Sequence, residues 1–265
     1  MSRVAARELD RLGYADSPVH RLDARAKLLV AAALVLAVSS FPRYEVAGLL
    51  PFFAVPVALG LGGRVAPRPV LRLVLAASPF ALLVGLANPF LDTAPAAHVA
   101  GVAVRGGVLS LLSILLRFAL CTSTLLLLVA TTSMPRLVRG LRLLGTPAAL
   151  TTQLQFLYRY LFLLVAEGER LQAARLLREP RRRLPRLATA RGMLFTLLRR
   201  TWDRGERVYR CMQVRGFQGE LPSLATERFR ARDAAFLALG VTFCAAARLL
   251  PLSRWAGEAL LSRLS

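Results

Sequence analysis

Long apolar runs, separated by short polar segments with glycine or proline, dominate the first half of the chain. The four runs cover residues 28–41, 46–61, 71–90 and 108–132. A helix that crosses the hydrocarbon core of a bilayer needs about 20 predominantly apolar residues. The pattern therefore predicts four transmembrane helices within residues 27–132. A fifth run predicts a last transmembrane helix within residues 233–252, and the neutral stretch 91–107 is interpreted as a loop.

The segments between these runs alternate in positive charge. Residues 1–26 form a polar, arginine-rich arm. Three arginines follow the second run, and another three follow the fourth run. The other loops hold only Arg43 and Arg105. Because lysine and arginine concentrate in cytoplasmic loops, the N-terminus is predicted to be cytoplasmic. The same rule leaves the side of the tail, residues 253–265, open.

Two further helices are predicted after the fourth run. In "TTSMPRLVRGLRLLGTP", Ser133 suits a helix N-cap, and Gly145 suits its end. Residues 133–166 are therefore assigned to helices at the membrane interface. Residues 167–232 are dense in arginine and are assigned to cytoplasmic helices. Before the first run, Asp23 is the expected N-cap of the first transmembrane helix.

Apolar and small residues recur at helical spacing between residues 194 and 212, and charged residues occupy the opposite face. Glu206 and Arg210 stand four residues apart in the favourable acid-before-base order. Gly216 lies where a helix commonly ends on a glycine in the left-handed conformation. The sequence thus predicts an amphipathic helix whose last turn presents Arg215. Its guanidinium can pair with a carboxylate through two parallel hydrogen bonds.

Composition agrees with a membrane protein that has basic cytoplasmic parts. Hydrophobic residues make up 55% of the chain, and the formal net charge is +21. The three cysteines are far apart in sequence, and they predict neither a disulfide framework nor a metal site. The two histidines, His20 and His98, are interpreted as surface residues. We expect no cofactor and no metal site.

Several stretches resemble the T component of energy-coupling factor (ECF) transporters, in the cobalt/nickel branch of CbiQ type. "SPVHRLDARAKLL" is similar to the N-terminal part of that branch, and "YRYLFLLVAEGERLQAARLLRE" is similar to its first coupling region. "ERVYRCMQVRGFQGEL" is similar to the second coupling region, with Val214-Arg215-Gly216 in place of Ala-Arg-Gly. The fold class that the resemblance implies is an all-α integral membrane protein, with about five transmembrane helices and a cytoplasmic coupling-helix region.

The resemblance implies a non-catalytic subunit of an ABC-type importer in a bacterial cytoplasmic membrane. Two ATPase subunits would bind the two coupling helices. A substrate-binding S component, with or without a small accessory membrane subunit, would carry cobalt or nickel. The second coupling site would comprise Val214, Arg215 and Gly216. For the first site, Leu177-Arg178 is the preferred counterpart, and Ala174-Arg175 is the competing one.

Other functions remain open at this point. The chain lacks G-x-x-x-x-G-K-[ST], the loop that cradles nucleotide phosphates, so any ATP hydrolysis is expected in partner subunits. A T component of a vitamin transporter is the first alternative, because metal and vitamin systems share these motifs. A membrane-tethered nucleic-acid binder is the second. We expect membrane lipids but no nucleic acid among the partners, since no nucleic-acid reading module accompanies the arginines.

Overall fold

The computed structural model describes residues 17–88, 95–99, 102–178, 186–219 and 229–249. These residues are mostly helical, with one small hairpin. The elements are α1 (Ala24–Ser39), a 3₁₀ helix (Ala47–Phe53), α2 (Ala54–Gly63), α3 (Pro67–Leu86), β1 (Pro95–Val99), β2 (Val102–Arg105), α4 (Gly106–Ala130), α5 (Met134–Leu143), α6 (Ala148–Arg178), α7 (Leu187–Val214) and α8 (Ala231–Leu249). The chain divides into two compact units, residues 1–140 with 227–265, and residues 141–226.

The stretch that was predicted as a loop contains a hairpin. Strands β1 and β2 pair in antiparallel fashion, with Val99 opposite Val102 and a register shift between Pro95 and Ala97. β-branched valines favour strands. They stand too close to glycine and proline here to produce the long alternating pattern that marks a strand in a sequence.

Two of the described helices are long and apolar enough to cross a membrane. These are α3, with a mean hydropathy of 1.9, and α4, with 2.1. The second predicted span is a shorter apolar helix, in which a 3₁₀ segment containing Pro51 leads into α2. Helix α1 has 16 residues. Helix α8 has 19 residues and charged residues near both ends.

The first unit buries two groups of apolar side chains between its helices. One group joins α1, the 3₁₀ helix, α4 and α8, and the other joins α2, α3 and α4. Phe52 lies in the first group with no exposed surface, and its ring meets Phe41 edge-on at 5.7 Å. The helices therefore pack as one bundle, with α4 common to both groups.

One carboxylate ties the starts of two helices together in this unit. Asp233, with 2% of its surface exposed, accepts hydrogen bonds from the backbone N–H groups of Asp23 and Arg230, each at 2.9 Å. Asp23 is the N-cap of α1, as predicted, and its side chain accepts from the N–H of Arg25 at 2.8 Å. Negative side chains at helix N-termini complement the helix dipole.

Two side chains that precede or open α1 contact the end of α4 at the same place. The Nζ of Lys27 donates to the carbonyl of Thr131 at 2.8 Å and to the hydroxyl of Thr132 at 3.0 Å. The ring of His20 lies 2.7 Å from the hydroxyl of Ser17 and 3.3 Å from the carbonyl of Ala130. His20 is buried, so its interpretation as a surface residue was wrong. These polar groups contact carbonyls at the end of α4 that have no partner within the helix. A cation is also favoured at this end of a helix.

The second unit contains an antiparallel pair of long helices. A carboxylate oxygen of Glu167 in α6 pairs with Arg200 in α7, and Thr152 lies near Gly219 at the other end of the pair. The assignment of residues 133–166 to interfacial helices and of 167–232 to cytoplasmic ones places a division inside one continuous helix, α6. No proline stands near residue 166, and the single Gly168 does not interrupt the helix.

Candidate functional site

The end of α7 has the geometry that the sequence predicted. Gly216 has a φ of 77°, in the left-handed region that favours glycine. The N–H of Phe217 donates to the carbonyl of Met212, and the N–H of Gly216 donates to that of Gln213, both at 3.0 Å. These two bonds form a Schellman motif, which satisfies the last carbonyls of a helix. The helix thus stops sharply after Arg215.

The Schellman turn leaves two side chains exposed at this end, which we call the second tip (residues 214–216). Val214 has 89% of its surface exposed, and Arg215 is exposed beside it. Phe217 turns the other way and lines, with Met212, a cavity of about 460 Å³ between α6 and α7. An apolar side chain and a guanidinium are therefore presented together at a fixed point. This combination suits a groove that carries a carboxylate.

We expect Gly216→Ala to lower the thermal unfolding temperature of the purified protein, because a Cβ at positive φ costs about 1 kcal/mol. Apart from residue 216 and its two neighbours in the chain, nothing lies within 4 Å of the position that this Cβ would take, so the expected penalty is strain in the backbone. Gly205→Ala is the matched control. Its Cβ would also meet nothing within 4 Å, but it lies inside α7, where alanine is favoured by about 1 kcal/mol. Equal unfolding temperatures for the two variants would contradict the glycine stop.

At the end of α6, which we call the first tip (residues 174–178), the two candidate arginines differ in how far they are exposed. Arg175 is buried, with 6% of its surface exposed, whereas Arg178 is exposed. Leu177, beside Arg178, has 87% of its surface exposed. Ala174 is exposed as well, but Arg175, which follows it, is buried. The surroundings of Leu177 and Arg178 therefore match those of Val214 and Arg215.

The two tips lie at opposite ends of the helix pair. Helices α6 and α7 run antiparallel, and each tip is the C-terminal end of its helix. The predicted pair between Glu206 and Arg210 forms on the surface of α7. The pair between Glu167 and Arg200 joins the two helices, and sequence reasoning missed it. Its partners stand 33 residues apart, a separation that no helical spacing rule addresses.

The predicted apolar stripe of α7 is only partly covered. Gly205, Val208 and Met212 face the cavity against α6. Leu194 and Trp202 have 59% and 78% of their surfaces exposed. Amphipathic spacing correctly predicts the helix, but the stripe is wider than the contact with α6. A helix face with this many exposed large side chains is typical of an interaction surface.

Arg117, in the middle of α4, contacts the end of α1. Its Nη2 donates to the carbonyls of Phe41 at 3.0 Å and Pro42 at 2.6 Å. Arg248 of α8 donates to the carbonyl of Ser40 at 3.2 Å and lies over the ring of Phe41. A charge inside an apolar span is expected to face protein groups. The guanidinium of Arg117 therefore donates to backbone carbonyls in the segment that follows α1.

The buried acid Asp233 is a residue that sequence reasoning overlooked. It stands three residues after Arg230, at the position from which an acidic side chain reaches back to the N-cap amide. That spacing could have identified its local bond. Its second bond, to the backbone of Asp23, spans 210 residues and has no signal in the sequence.

Comparisons with known proteins point to one family. The family model of CbiQ, described as cobalt transport protein, matches residues 15–224, which is more than half of the chain. An uncharacterized protein of Methanocaldococcus jannaschii is 28% identical over 144 residues, which cover 52% of this chain and 48% of that protein. The chain thus spans about half the length of the curated relative that it matches. The family match includes both tips. The chain belongs to the CbiQ family of cobalt transport proteins.

Proposed function

We propose that this protein is the transmembrane coupling component of an ECF-type ABC importer, which links cytoplasmic ATPase subunits to a substrate-binding S component. The observation that carries the proposal is the pair of tips. Each long helix of the second unit ends on an exposed aliphatic side chain followed by an exposed arginine, Leu177-Arg178 and Val214-Arg215. Membership of a cobalt transport family places the chain in a membrane transport system.

The opposite orientation of the tips suits two ATPase subunits. Two copies of the same groove, one on each subunit of an ATPase dimer, require two similar ligands that point apart. The C-terminal ends of two antiparallel helices meet that requirement. The proposed contact in each groove is a carboxylate that pairs with Arg178 or Arg215 and an apolar wall against Leu177 or Val214.

Force transfer needs the two helices to respond together. When ATP closes the ATPase dimer, the grooves move, and the tips follow if they are bound differently in the two states. The ion pair between Glu167 and Arg200 couples α6 to α7. The exposed apolar side of α7, with Phe195 and Trp202, is the proposed contact for the S component. The motion would thus pass from the ATPases to the subunit that carries the substrate, and this chain would perform no catalysis.

The proposed membrane arrangement has five crossings. Within the first unit, residues 20–27, 130–132 and 230–233 contact one another at one end, and Ser40 contacts Arg248 at the other. The arginine-rich segments adjoin the first of these ends, which we place on the cytoplasmic side of a bacterial inner membrane. Helices α1 and α8, which are short or flanked by charges, would cross with their ends in the headgroup region.

We expect Arg178→Glu to reduce the amount of ATPase that co-purifies with this protein and to leave its unfolding temperature unchanged, because Arg178 is exposed. Arg175→Glu is the matched comparison. It reverses the charge of a buried side chain, so, unlike Arg178→Glu, it should lower the unfolding temperature. The measurements are ATPase retained per folded chain and thermal unfolding in detergent. If folded Arg175→Glu loses the ATPase and Arg178→Glu keeps it, the docking residue of the first tip is Arg175.

A purification from native membranes tests the proposal as a whole. The tagged protein is extracted in mild detergent, and its co-purifying proteins are identified by mass spectrometry. We expect two ATPase chains and a substrate-binding membrane subunit. The metal or vitamin that this subunit binds decides between cobalt or nickel uptake and a vitamin system. Recovery without any ATPase, from cells that carry out the uptake, would contradict the proposed role.

A further inference from the structure

Three arginines of α7 and one carboxylate of α6 line a cavity of about 200 Å³ in the second unit. The arginines are Arg200, Arg204 and Arg207, and Glu167 is the carboxylate that α6 contributes. Glu167 pairs with Arg200, whereas the described residues offer no ion pair or hydrogen bond to the side chains of Arg204 and Arg207. The carboxylate of α6 therefore has unused partners farther along α7.

The nearest unused partner stands one helical turn from the occupied one. Arg204 follows Arg200 by four residues, so the two side chains lie on about the same face of α7, roughly 6 Å apart along its axis. Because α6 runs antiparallel to α7, the residue of α6 at the level of Arg204 is Leu163, which carries no charge. A shift of α6 by one turn would bring Glu167 to Arg204.

Neighbouring charges support both positions of Glu167. Arg170 lies 3.6 Å from the second carboxylate oxygen of Glu167, and it belongs to α6, so the two side chains would move together. Asp203 lines the cavity from α7 and stands three residues after Arg200, a spacing at which a helix brings an acid and a base close to each other. Arg200 would therefore keep a carboxylate nearby after it loses Glu167.

The packing between the two helices leaves room for this shift. A second cavity, of about 460 Å³, separates α6 from the C-terminal half of α7, and a Cβ at Gly205 would meet no side chain of α6 within 4 Å. One hydrogen bond of 3.4 Å joins Thr152 to the carbonyl of Gly219 at the far end. Helices interlock when the side chains of one fill the grooves of the other, and this interlocking is missing around Gly205.

We propose that Glu167 exchanges Arg200 for Arg204 when the transporter binds ATP, and that α6 then slides by one turn along α7. Such one-turn displacements of one element past another are a known form of switching. Glu167 moves toward the C-terminal end of α7, and the first tip moves with it, so the two tips approach each other by about 6 Å. An ion pair ties the helices together in both positions. The inference rests on the proposed function, in which ATP closes the two grooves that hold the tips.

Spin labels on α6 and α7 of the full-length chain test the sliding directly. One label is attached to the exposed native Cys211 and the other to Gln172→Cys, also an exposed position, after Cys121 and Cys244 are changed to alanine. Distances are measured in the isolated chain and in the transporter assembled with its ATPases. We expect the distance between the labels to shorten by about 6 Å when a nonhydrolysable ATP analogue is added to the assembled transporter.

Two single substitutions should shift this distance in opposite directions. Arg200→Gln removes the first partner and should raise the population with the short distance, even in the isolated chain. Arg204→Gln removes the second partner and should lower that population in the ATP-bound complex, by up to about fivefold for an exposed pair. Arg199→Gln is the matched control, because it removes the same charge from an exposed position of α7 outside the cavity, and it should change neither population.

A charge reversal tests whether Arg204 is the second partner. Glu167→Arg combined with Arg200→Glu rebuilds the first pair but sets two arginines against each other after the shift. This protein should keep the long distance in the presence of the ATP analogue. Addition of Arg204→Glu rebuilds the second pair and should restore the shortening. Arg170 meets the same reversed charge in both proteins, so their comparison is matched.

Three results would overturn the inference. An assembled transporter that takes up its substrate, but whose labels stay at one distance, would exclude the sliding. Equal distances in Arg204→Gln and Arg199→Gln would remove Arg204 as the second partner, and so would reversed proteins that behave alike with and without Arg204→Glu. If no ATPase assembles with the chain, the proposed function fails. The exchange itself is then still tested by the isolated chain, where Arg200→Gln must differ from wild type.

Discussion

Arg215→Glu is expected to abolish ATP-dependent uptake while the protein still folds and inserts. Arg215 is exposed at a helix end that the Schellman turn holds in place, so within the described part of the chain the substitution breaks no side-chain contact. In the proposed complex, however, it places a carboxylate against a carboxylate. Loss of one partner from a buried charged pair at an interface costs about 2–5 kcal/mol, which corresponds to a reduction in ATPase affinity of more than tenfold.

The control for this prediction is Arg199→Glu, which makes the same charge change on the exposed side of the same helix. The measurements are ATPase retained on the purified protein and uptake of labelled metal by cells. We expect Arg199→Glu to behave like wild type in both. Normal uptake by cells that carry Arg215→Glu would remove the second tip from the mechanism. Equal loss in both variants would indicate that net charge on α7, and not a docked arginine, is what the ATPase recognises.

The second large effect is expected from Asp233→Ala, and it is an effect on stability. The side chain of Asp233 satisfies two backbone N–H groups, one at the start of α1 and one at the start of α8. Each buried polar group that is left unsatisfied costs about 1–3 kcal/mol, so a total loss of about 3 kcal/mol is expected. The unfolding temperature in detergent should fall by about 10 °C for a chain of this size.

Two variants separate the role of these bonds from that of charge. Asp233→Asn keeps one acceptor oxygen and places an amide group where the other stood, so it should lose a smaller part of the stability. Asp203→Ala removes the same charge from an exposed position of α7 and should leave the unfolding temperature within about 1 °C of wild type. An Asp233→Ala protein as stable as Asp203→Ala would contradict the account of how the two helix starts are held together.

The sequence was sufficient wherever the responsible signal is local. The N-cap at Asp23 and the glycine stop at Gly216 depend on residues within one turn, and both are present. The pair between Glu206 and Arg210 follows from helical spacing alone. The helices in the five predicted spans, which are α1, α2, α3, α4 and α8, follow from runs of apolar residues. Their number as membrane crossings stays a prediction, since two of the described helices meet the requirements of length and hydropathy.

The first tip shows where local information ends. The two readings, Leu177-Arg178 and Ala174-Arg175, are one helical turn apart, and both contain an arginine near the end of the same helix. Burial distinguishes them, because Arg175 lies inside and Arg178 outside. Burial depends on what packs against the helix, so the difference in exposure between the two arginines could not be predicted from the stretch alone.

The sequence by itself determined which segments form apolar or amphipathic helices, which family the chain resembles, and where α7 ends on a glycine. Apolar periodicity, motif spacing and a helix-ending glycine are each signals that extend over a few residues. Only the tertiary structure decided that Arg117 contacts the end of α1, that Asp233 joins two helix starts, and that the tips point to opposite ends of a helix pair. These contacts join residues 33 to 210 positions apart. Their partners are chosen by how long helices pack side by side, and this packing depends on many weak contacts at once.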